Sequence, residues 1–248
     1  MIRLYFLTLY DHLLQAVLLN LIWAATVLPW VAFGATLGWA SATAAAAVGQ
    51  PFLAGLGAVA GGSLAVFSPP TLFLFVATRQ WVRGGEGGVR GAWSLTRGLL
   101  WRAQGGGLLV TMAVTLLLGN ALFYQSRLGW FGLALSGVMF WLLLGIALTA
   151  MLLFPVLVDN PDFSLRRCVR YAVLLVLDNL RRSALMAAAT MACLLVGAVS
   201  GAGLALGAVP AAMLAIHLGF AGMLQRYGGT PVEADHRSLG DLLRPWQT

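Results

Sequence analysis

A histidine inside a long apolar run is the first residue that could do chemistry. His217 is the only ionisable side chain well inside a predicted membrane span, and all eight acidic residues fall at the ends of such runs or in connections. Ionisable groups within a membrane mark proton relays, ligand sites and cofactor sites. A lone histidine there could bind a pigment, a metal or a proton, but more often it hydrogen-bonds a neighbouring helix. We therefore expect His217 to be structural.

The other chemistry-bearing residues do not group into a recognisable site. Cys168 and Cys193 lie in different apolar surroundings, which predicts two free buried thiols without metal-ligand spacing. The sequence has no G-x-S-x-G, H-E-x-x-H, phosphate-binding loop or paired-carboxylate signature. We expect no enzyme activity, no catalytic residue, no metal and no cofactor. Six further polar side chains within the runs are expected to bond between helices: Asn20, Thr111, Thr115, Asn120, Thr149 and Thr190.

Arginines interrupt the apolar pattern in the stretch FSLRRCVRYAVLLVLDNLRRSALM, which begins at Phe163. It is too charged to span a bilayer and too apolar to lie free in water. At about 100° per residue, one arc of a helix carries Arg166, Arg167, Arg170, Asp178 and Arg181. The other side carries Leu165, Val169, Ala172, Val173, Val176 and Leu180. This pattern predicts a helix in the cytoplasmic interface, its arginines toward anionic lipid headgroups or a soluble partner.

The ends of this helix have their own signals. Asp162, which follows the turn-forming pair Asn160-Pro161, is expected to be its N-cap. Asp178 is expected to pair with Arg181 or Arg182 one turn later.

A second basic segment, GVRGAWSLTRGLLWRAQGGG, repeats the layout. One arc carries Arg90, Ser94, Arg97 and Trp101, and the opposite side carries Ala92, Leu95, Leu99 and Ala103. Both segments contain S-L-x-R, and each lies between two apolar runs. We interpret the chain as a degenerate parallel repeat of span, basic amphipathic helix and span.

Composition places these segments in a membrane protein. The 248 residues are 60% hydrophobic and only 9% charged, whereas soluble domains carry about 25% charged residues. Crossing the bilayer takes about 20 apolar residues. The predicted fold class is all-α, a transmembrane bundle of one domain (1–224) followed by a short cytoplasmic tail (225–248). Its six spans are predicted at about 13–37, 52–78, 104–124, 130–157, 184–205 and 207–224.

The arginines also predict an orientation. The chain has 15 arginines and no lysine, and with six spans all but Arg127 fall on one side of the membrane. An excess of arginine marks the cytoplasmic side, so both termini are predicted to be cytoplasmic. Because the arginines cluster at the ends of apolar runs, they are assigned to anionic headgroups and topology, and no nucleic-acid partner is expected.

Small residues recur within the spans. The patterns Gly57-x-x-x-Gly61, Gly197-x-x-x-Gly201 and Gly203-x-x-x-Gly207 let helix backbones approach closely. We expect them to pack helices within the chain, with homodimerisation as the alternative.

Three stretches resemble the YesL-like family of bacterial integral membrane proteins, a domain of unknown function. They are NLIWAATVLPWVAFG from Asn20, SPPTLFLFVATRQWVRGGEGGVRGAWSLTRGLLWRAQGGGLL from Ser68, and LLFPVLVDNPDFSLRRCVRYAVLL from Leu152. The chain departs from the family by an Ala/Gly-rich insertion, roughly Ala40 to Ala65. The resemblance implies an integral membrane protein, often encoded beside carbohydrate uptake genes, without catalytic residues to carry over.

Two functions follow from these observations. The leading hypothesis is a non-enzymatic accessory or assembly protein of the bacterial inner membrane, which the family resemblance links to carbohydrate uptake and to a membrane-complex partner. The alternative is a transporter or permease subunit for a small solute such as a sugar, in which Pro69-Pro70, Pro155 and Pro210 break helices at a binding site. A polar cavity lined by Asn20, Asn120 or His217 would favour transport.

Overall fold

The computed structural model describes residues 2–83, 88–201, 203 and 207–229, and within them the fold is all-α. The helices are α1 (Ile2–Asp11), α2 (Leu13–Val48), α3 (Phe52–Val66), α4 (Pro69–Arg83), α5 (Gly88–Arg127), α6 (Gly129–Asp159), α7 (Leu165–Asp178), α8 (Leu180–Val199) and α9 (Ala208–Leu224), followed by a 3-10 turn at Gln225–Tyr227. Six helical segments are long and apolar enough to cross a membrane, which confirms the predicted polytopic bundle. The predicted tail from residue 230 onward, with Arg237 and Arg244, lies outside the described residues.

The first two spans form a hairpin held by backbone contact. The Ala/Gly-rich stretch continues α2 to Val48 and then forms α3, so the first span is longer than the predicted 13–37. Gly49 ends α2 in the left-handed conformation (φ 65°), which favours glycine. A Cβ added to Gly34 would lie 2.7 Å from the carbonyl oxygen of Gly61. The Gly57–Gly61 pattern therefore packs two helices of the same chain.

The second span is interrupted rather than continuous. Helix α3 ends at Val66 and α4 begins at Pro69, with Phe67 and Ser68 between them. Proline is favoured in the first turn of a helix because its missing N–H would have had no partner there. By contrast, Pro155 lies inside α6 and Pro210 in the first turn of α9, and both helices continue through these prolines. Of the prolines predicted to break helices, only Pro69-Pro70 stands at a break.

The two basic segments differ in structure. The first was predicted as an interfacial helix separate from the span at 104–124, but both are parts of α5, a single helix of 40 residues. At 1.5 Å per residue α5 is about 60 Å long, which exceeds the roughly 30 Å of a bilayer's hydrocarbon core. The predicted faces hold, since Ala92, Leu99 and Ala103 are buried while Arg90 and Arg97 are exposed.

The second basic segment forms a separate helix, α7. Asn179 interrupts the helical backbone (φ −128°, ψ 38°), so α7 is not continuous with α8. Its N-cap is Ser164, whose Oγ accepts a hydrogen bond from the Arg167 N–H at 3.4 Å, and not Asp162 as predicted. The layout of span, basic helix and span is thus kept by α6, α7 and α8, and the supposed repeat is only partial.

The last two helices do not follow the alternation of spans predicted from the arginines. Helices α8 and α9 are antiparallel, because Arg182 donates to the Gly222 carbonyl at 2.7 Å and Met186 packs against Gly219. A Cβ added to Gly207, just before α9, would lie 3.4 Å from Ala16 near the start of α2. If the six spans alternated in direction, Ala16 at the start of α2 and Gly207 at the start of α9 would lie at opposite faces of the membrane. Their contact places them at the same face. The structure therefore does not support the prediction that the start of α2 and the end of α9 lie on the same side.

The remaining glycine patterns lie at helix ends. Gly201 (φ 61°) and Gly207 (φ 109°) adopt positive φ. Because helix α8 ends at Val199, Gly197–Gly201 does not lie on one continuous helix. Residues 204–206, which fall within the other pattern, lie outside the described residues. A Cβ added to Gly203 would lie 2.8 Å from the Gly197 Cα, so these two glycines approach each other closely within the chain.

The buried core lies where α4, the C-terminal half of α6 and α9 meet. Every residue from Pro69 to Thr78 is buried, as are residues 152–158 of α6 and most of α9. Helices α2, α5 and α8 surround this core and expose many large apolar side chains, including Leu28, Leu116 and Val196. Such surfaces suit lipid rather than water.

Replacing Gly61 by Ala tests the α2–α3 contact. The new methyl group would lie 2.7 Å from the Gly34 Cα, and forcing such a group into a packed interface costs about 1–3 kcal/mol. We expect a lower melting temperature for the full chain in detergent. The control is Gly62→Ala, where nothing lies within 4 Å and the change should be neutral or stabilising. Equal melting temperatures for the two variants would contradict the packing.

Candidate functional site

His217 joins two helices of the core. Its Nε2 lies 2.7 Å from the carbonyl oxygen of Phe75 in α4, and since a carbonyl only accepts, Nε2 donates. The imidazole also meets the Phe75 ring edge to face, with centroids 5.4 Å apart. The predicted interhelical hydrogen bond is confirmed.

The polar groups around the helix break are bonded to one another. Trp23 Nε1 donates to Thr71 Oγ1 at 3.1 Å, and Ser68 Oγ donates to the Ala65 carbonyl at 2.7 Å. The N–H groups of Thr71 and Leu72 donate to the Ser68 carbonyl at 3.0 and 3.2 Å. Because Pro69 and Pro70 have no N–H, the buried start of α4 has few donors left for a ligand.

Other span hydroxyls and amides behave differently from the sequence prediction. Asn120, Thr149 and Thr190 donate to carbonyls four residues earlier in their own helices, not to neighbouring helices. The buried hydroxyls of Thr111 and Thr115 have no hydrogen-bond partner among the described residues. Asn120 therefore does not join His217 in a common polar site.

Three arginines hold the connection between α6 and α7. Asp159, whose side chain is only 7% exposed, accepts from Arg79 Nε at 2.7 Å and also from Arg83 Nη2. Arg102 of α5 donates through Nη1 to the carbonyls of Pro161 and Phe163. Helices α4 and α5 are thereby fastened to the same short loop. We call this set of contacts the arginine clamp.

A second polar cluster, the α7–α8 joint, surrounds Asn179. Its side chain accepts from Arg226 Nη1 at 3.0 Å and donates to the Tyr227 hydroxyl at 3.0 Å. Tyr227 in turn donates to Asp178 at 3.2 Å. Asp178 was predicted to pair with Arg181 or Arg182, but Arg182 bonds the Gly222 carbonyl instead. The residues that follow α9 therefore fix the angle between α7 and α8.

The five arginines predicted to contact lipid or a partner are Arg90, Arg97, Arg166, Arg167 and Arg170, and all are exposed. Arg167 lies over the Phe163 ring, 4.0 Å from its centroid. Among the described residues, the other four form no hydrogen bond or ion pair. They are divided between α5 and α7, which meet near Leu165 and Gly105. This exposed set is available for charge recognition outside the protein.

The buried face of α7 differs slightly from the predicted one. Cys168, Ala172, Leu175 and Val176 are buried, with Leu165 and Val169 partly covered. Val173 is 37% exposed and Leu180 is 56% exposed, so the prediction was wrong for these two. The face that packs on the bundle is therefore rotated about the helix axis from the predicted face, toward Cys168 and Leu175 and away from Val173.

The cysteines have no feature of a reactive site. Both are free, and burial raises the pKa of the Cys168 thiol, although nearby Arg102 lowers it. A raised pKa keeps the thiol protonated and unreactive. Cys193 lies 3.4 Å from the Tyr5 hydroxyl, whose pKa is raised by burial and by this contact. Both thiols are free as predicted, but only Cys168 is buried, since Cys193 is partly exposed.

No family model, curated protein or solved structure matches this chain. The resemblance to the YesL-like family therefore remains a prediction. Within the described ranges, no group of three or more His, Cys, Asp and Glu side chains could hold a metal ion. The expectation that the protein is not an enzyme is untested and also remains a prediction.

His217→Gln separates a structural role from a ligand role. The glutamine amide can still donate to the Phe75 carbonyl, so we expect a melting temperature close to that of the wild type. His217→Leu removes the donor and should cost about 1 kcal/mol. Absorption spectra and metal analysis of both purified variants provide the check. A pigment or metal that copurifies with the wild type and is absent from His217→Gln would contradict the structural role.

Asp159→Asn tests the arginine clamp. Removing one partner of a buried ion pair costs about 3–5 kcal/mol of folding free energy. Because Arg79 and Arg83 are partly exposed, we expect a smaller loss of about 1–3 kcal/mol. It should appear as a lower melting temperature. Asp162→Asn removes the same charge from an exposed position three residues away and should change little. A similar loss in both variants would show that net charge, and not the clamp, matters.

Proposed function

We propose that this protein is a non-enzymatic accessory or assembly protein of the bacterial cytoplasmic membrane. One observation carries the proposal: the polar groups at the helix break and His217 are hydrogen-bonded within the protein, whereas Arg90, Arg97, Arg166 and Arg170 on the surfaces of α5 and α7 form no hydrogen bond or ion pair with the described residues. A protein that holds or orients a partner needs a stable interior and a recognition surface. A protein that moves a solute needs polar groups left available along its path.

The closed helix break supports this function. In transporters, discontinuous helices present free backbone groups to the substrate. Here Ser68, Pro69, Pro70 and Thr71 are all buried. The two prolines lack N–H groups, and the next two N–H groups bond the Ser68 carbonyl. The break therefore leaves few backbone groups free to bind a substrate.

Transport is the second candidate because two hydroxyls of α5 are buried without a partner. The hydroxyls of Thr111 and Thr115 have no hydrogen-bond partner among the described residues, and Thr111 is only 5% exposed. They lie four and eight residues after Gly107, which packs against the Phe67 carbonyl at the break. A solute path in a transporter or permease subunit would pass these hydroxyls.

Thiol accessibility distinguishes the two candidates. Thr111→Cys and Thr115→Cys are made in the full chain with Cys168 and Cys193 replaced by Ala, and reconstituted vesicles are treated with a membrane-impermeant maleimide. The accessory function predicts no labelling until the protein is denatured. Ser126→Cys is exposed and provides the positive control. Labelling at Thr111 or Thr115 comparable to that at Ser126 would support transport and contradict the accessory function.

The partner is proposed to lie on the side of the basic surface. The excess of arginine places the N-terminal part of α5 in the cytoplasm under the proposal. The resemblance to the YesL-like family directs the search for a partner to carbohydrate-uptake systems, which photo-crosslinking from Trp93 or Trp101 in native membranes can identify.

Helix α5 gives a direct test of the orientation. Ser94 and Ser126 are 32 residues apart on this helix, or about 48 Å at 1.5 Å per residue, and the bilayer core is about 30 Å thick. In whole cells, Ser126→Cys should react with an impermeant maleimide, and Ser94→Cys should react only after the membrane is opened. Reaction of both positions in intact cells would contradict the orientation.

A further inference from the structure

One exposed stripe of α7 changes character along the helix. The stripe runs through Arg166, Arg170, Val173 and Leu177, at spacings of four, three and four residues that keep side chains on one side of a helix. All four are exposed, Leu177 to 68%. The first half of the stripe is cationic and the second half is apolar.

Among the residues that the structure describes, no group pairs with the cationic half of the stripe. Arg166 and Arg170 form no hydrogen bond or ion pair with the described residues. Asp178, at the far end of α7, accepts from Tyr227, and Asp159 is occupied by Arg79 and Arg83. Arg79, Arg83, Arg102, Arg182 and Arg226 bond to internal groups, whereas Arg166 and Arg170 bond to none of the described residues. The charges of Arg166 and Arg170 are therefore available to bind an anion from outside the protein.

The apolar half of the stripe is suited to contact with the hydrocarbon of a lipid. Leu174, beside the stripe, is 51% exposed, and Leu180 continues the apolar surface into α8. From Arg166 to Leu177 the helix rises by about 16 Å, which is close to the roughly 15 Å of hydrocarbon in one leaflet of a bilayer. An acidic protein segment would match the arginines but not the exposed leucines next to them.

We propose that the α7 stripe binds one anionic phospholipid, with its phosphate at Arg166 and Arg170 and an acyl chain along Val173 and Leu177. Arginine pairs bind phosphate through charge-assisted hydrogen bonds, and burying the exposed apolar side chains against the acyl chain stabilises the complex. This lipid site adds to the proposed function. It depends on that proposal only because it requires the protein to lie in a bilayer. It is equally compatible with an accessory protein and with a transporter.

Native mass spectrometry of the full-length protein in detergent tests the site. The probes are phosphatidylglycerol and phosphatidylcholine with identical acyl chains. We expect one phosphatidylglycerol molecule to be retained in preference to phosphatidylcholine. Arg166→Gln with Arg170→Gln should weaken its retention by roughly tenfold. The matched control, Arg90→Gln with Arg97→Gln, removes the same charge from α5 and should reduce retention less than twofold.

Two further arms test each half of the site. Val173→Ser with Leu177→Ser should weaken retention of phosphatidylglycerol, and soluble glycerol phosphate should not displace the lipid. Arg166→Lys with Arg170→Lys keeps the charge and reports on the site if the glutamine variant does not fold. The proposal is overturned if both arginine pairs matter equally, if glycerol phosphate displaces the lipid, or if only a protein partner binds the stripe. Failure here leaves the thiol test of the accessory function unaffected.

Discussion

A backbone or side-chain polar group in the bilayer core is costly unless it bonds within the protein, because the surrounding hydrocarbon offers no partner. This requirement explains the least regular part of the fold. The chain breaks between α3 and α4, where free backbone groups would be costly, and Ser68 and two prolines close the break. Trp23 of α2 and His217 of α9 then bond to α4. The central helix is thus held by hydrogen bonds on two sides as well as by apolar packing.

The same requirement separates the arginines into two groups. Arg79, Arg83, Arg102, Arg182 and Arg226 bond to a carboxylate, an amide or backbone carbonyls of the protein. These contacts fix the ends of α6, α7 and α8. The exposed arginines of α5 and α7 contribute nothing comparable to the fold, so their charge is free for recognition. A count of arginines cannot reveal this division, since both groups lie at the ends of apolar runs.

The spans and the amphipathic faces of α5 and α7 were predictable because hydrophobic length and helical periodicity are local properties. The role of His217 was also predictable, since its isolation left hydrogen bonding to a neighbouring helix as the simplest use of the ring. The continuity of α5 was not, because nothing at Ala103 marks whether a helix bends or continues. The packing of Gly207, just before α9, against Ala16 depends on tertiary contacts that arginine counting does not contain.

The closed break at the centre of the bundle is tested most directly by hydrogen exchange of the full-length protein in lipid nanodiscs. The amides of Thr71 and Leu72 bond the buried Ser68 carbonyl, so peptides covering residues 67–78 should exchange as slowly as the core of α9. Exchange of those two amides within seconds, while α9 remains protected, would show that water reaches the break and would contradict a sealed interior.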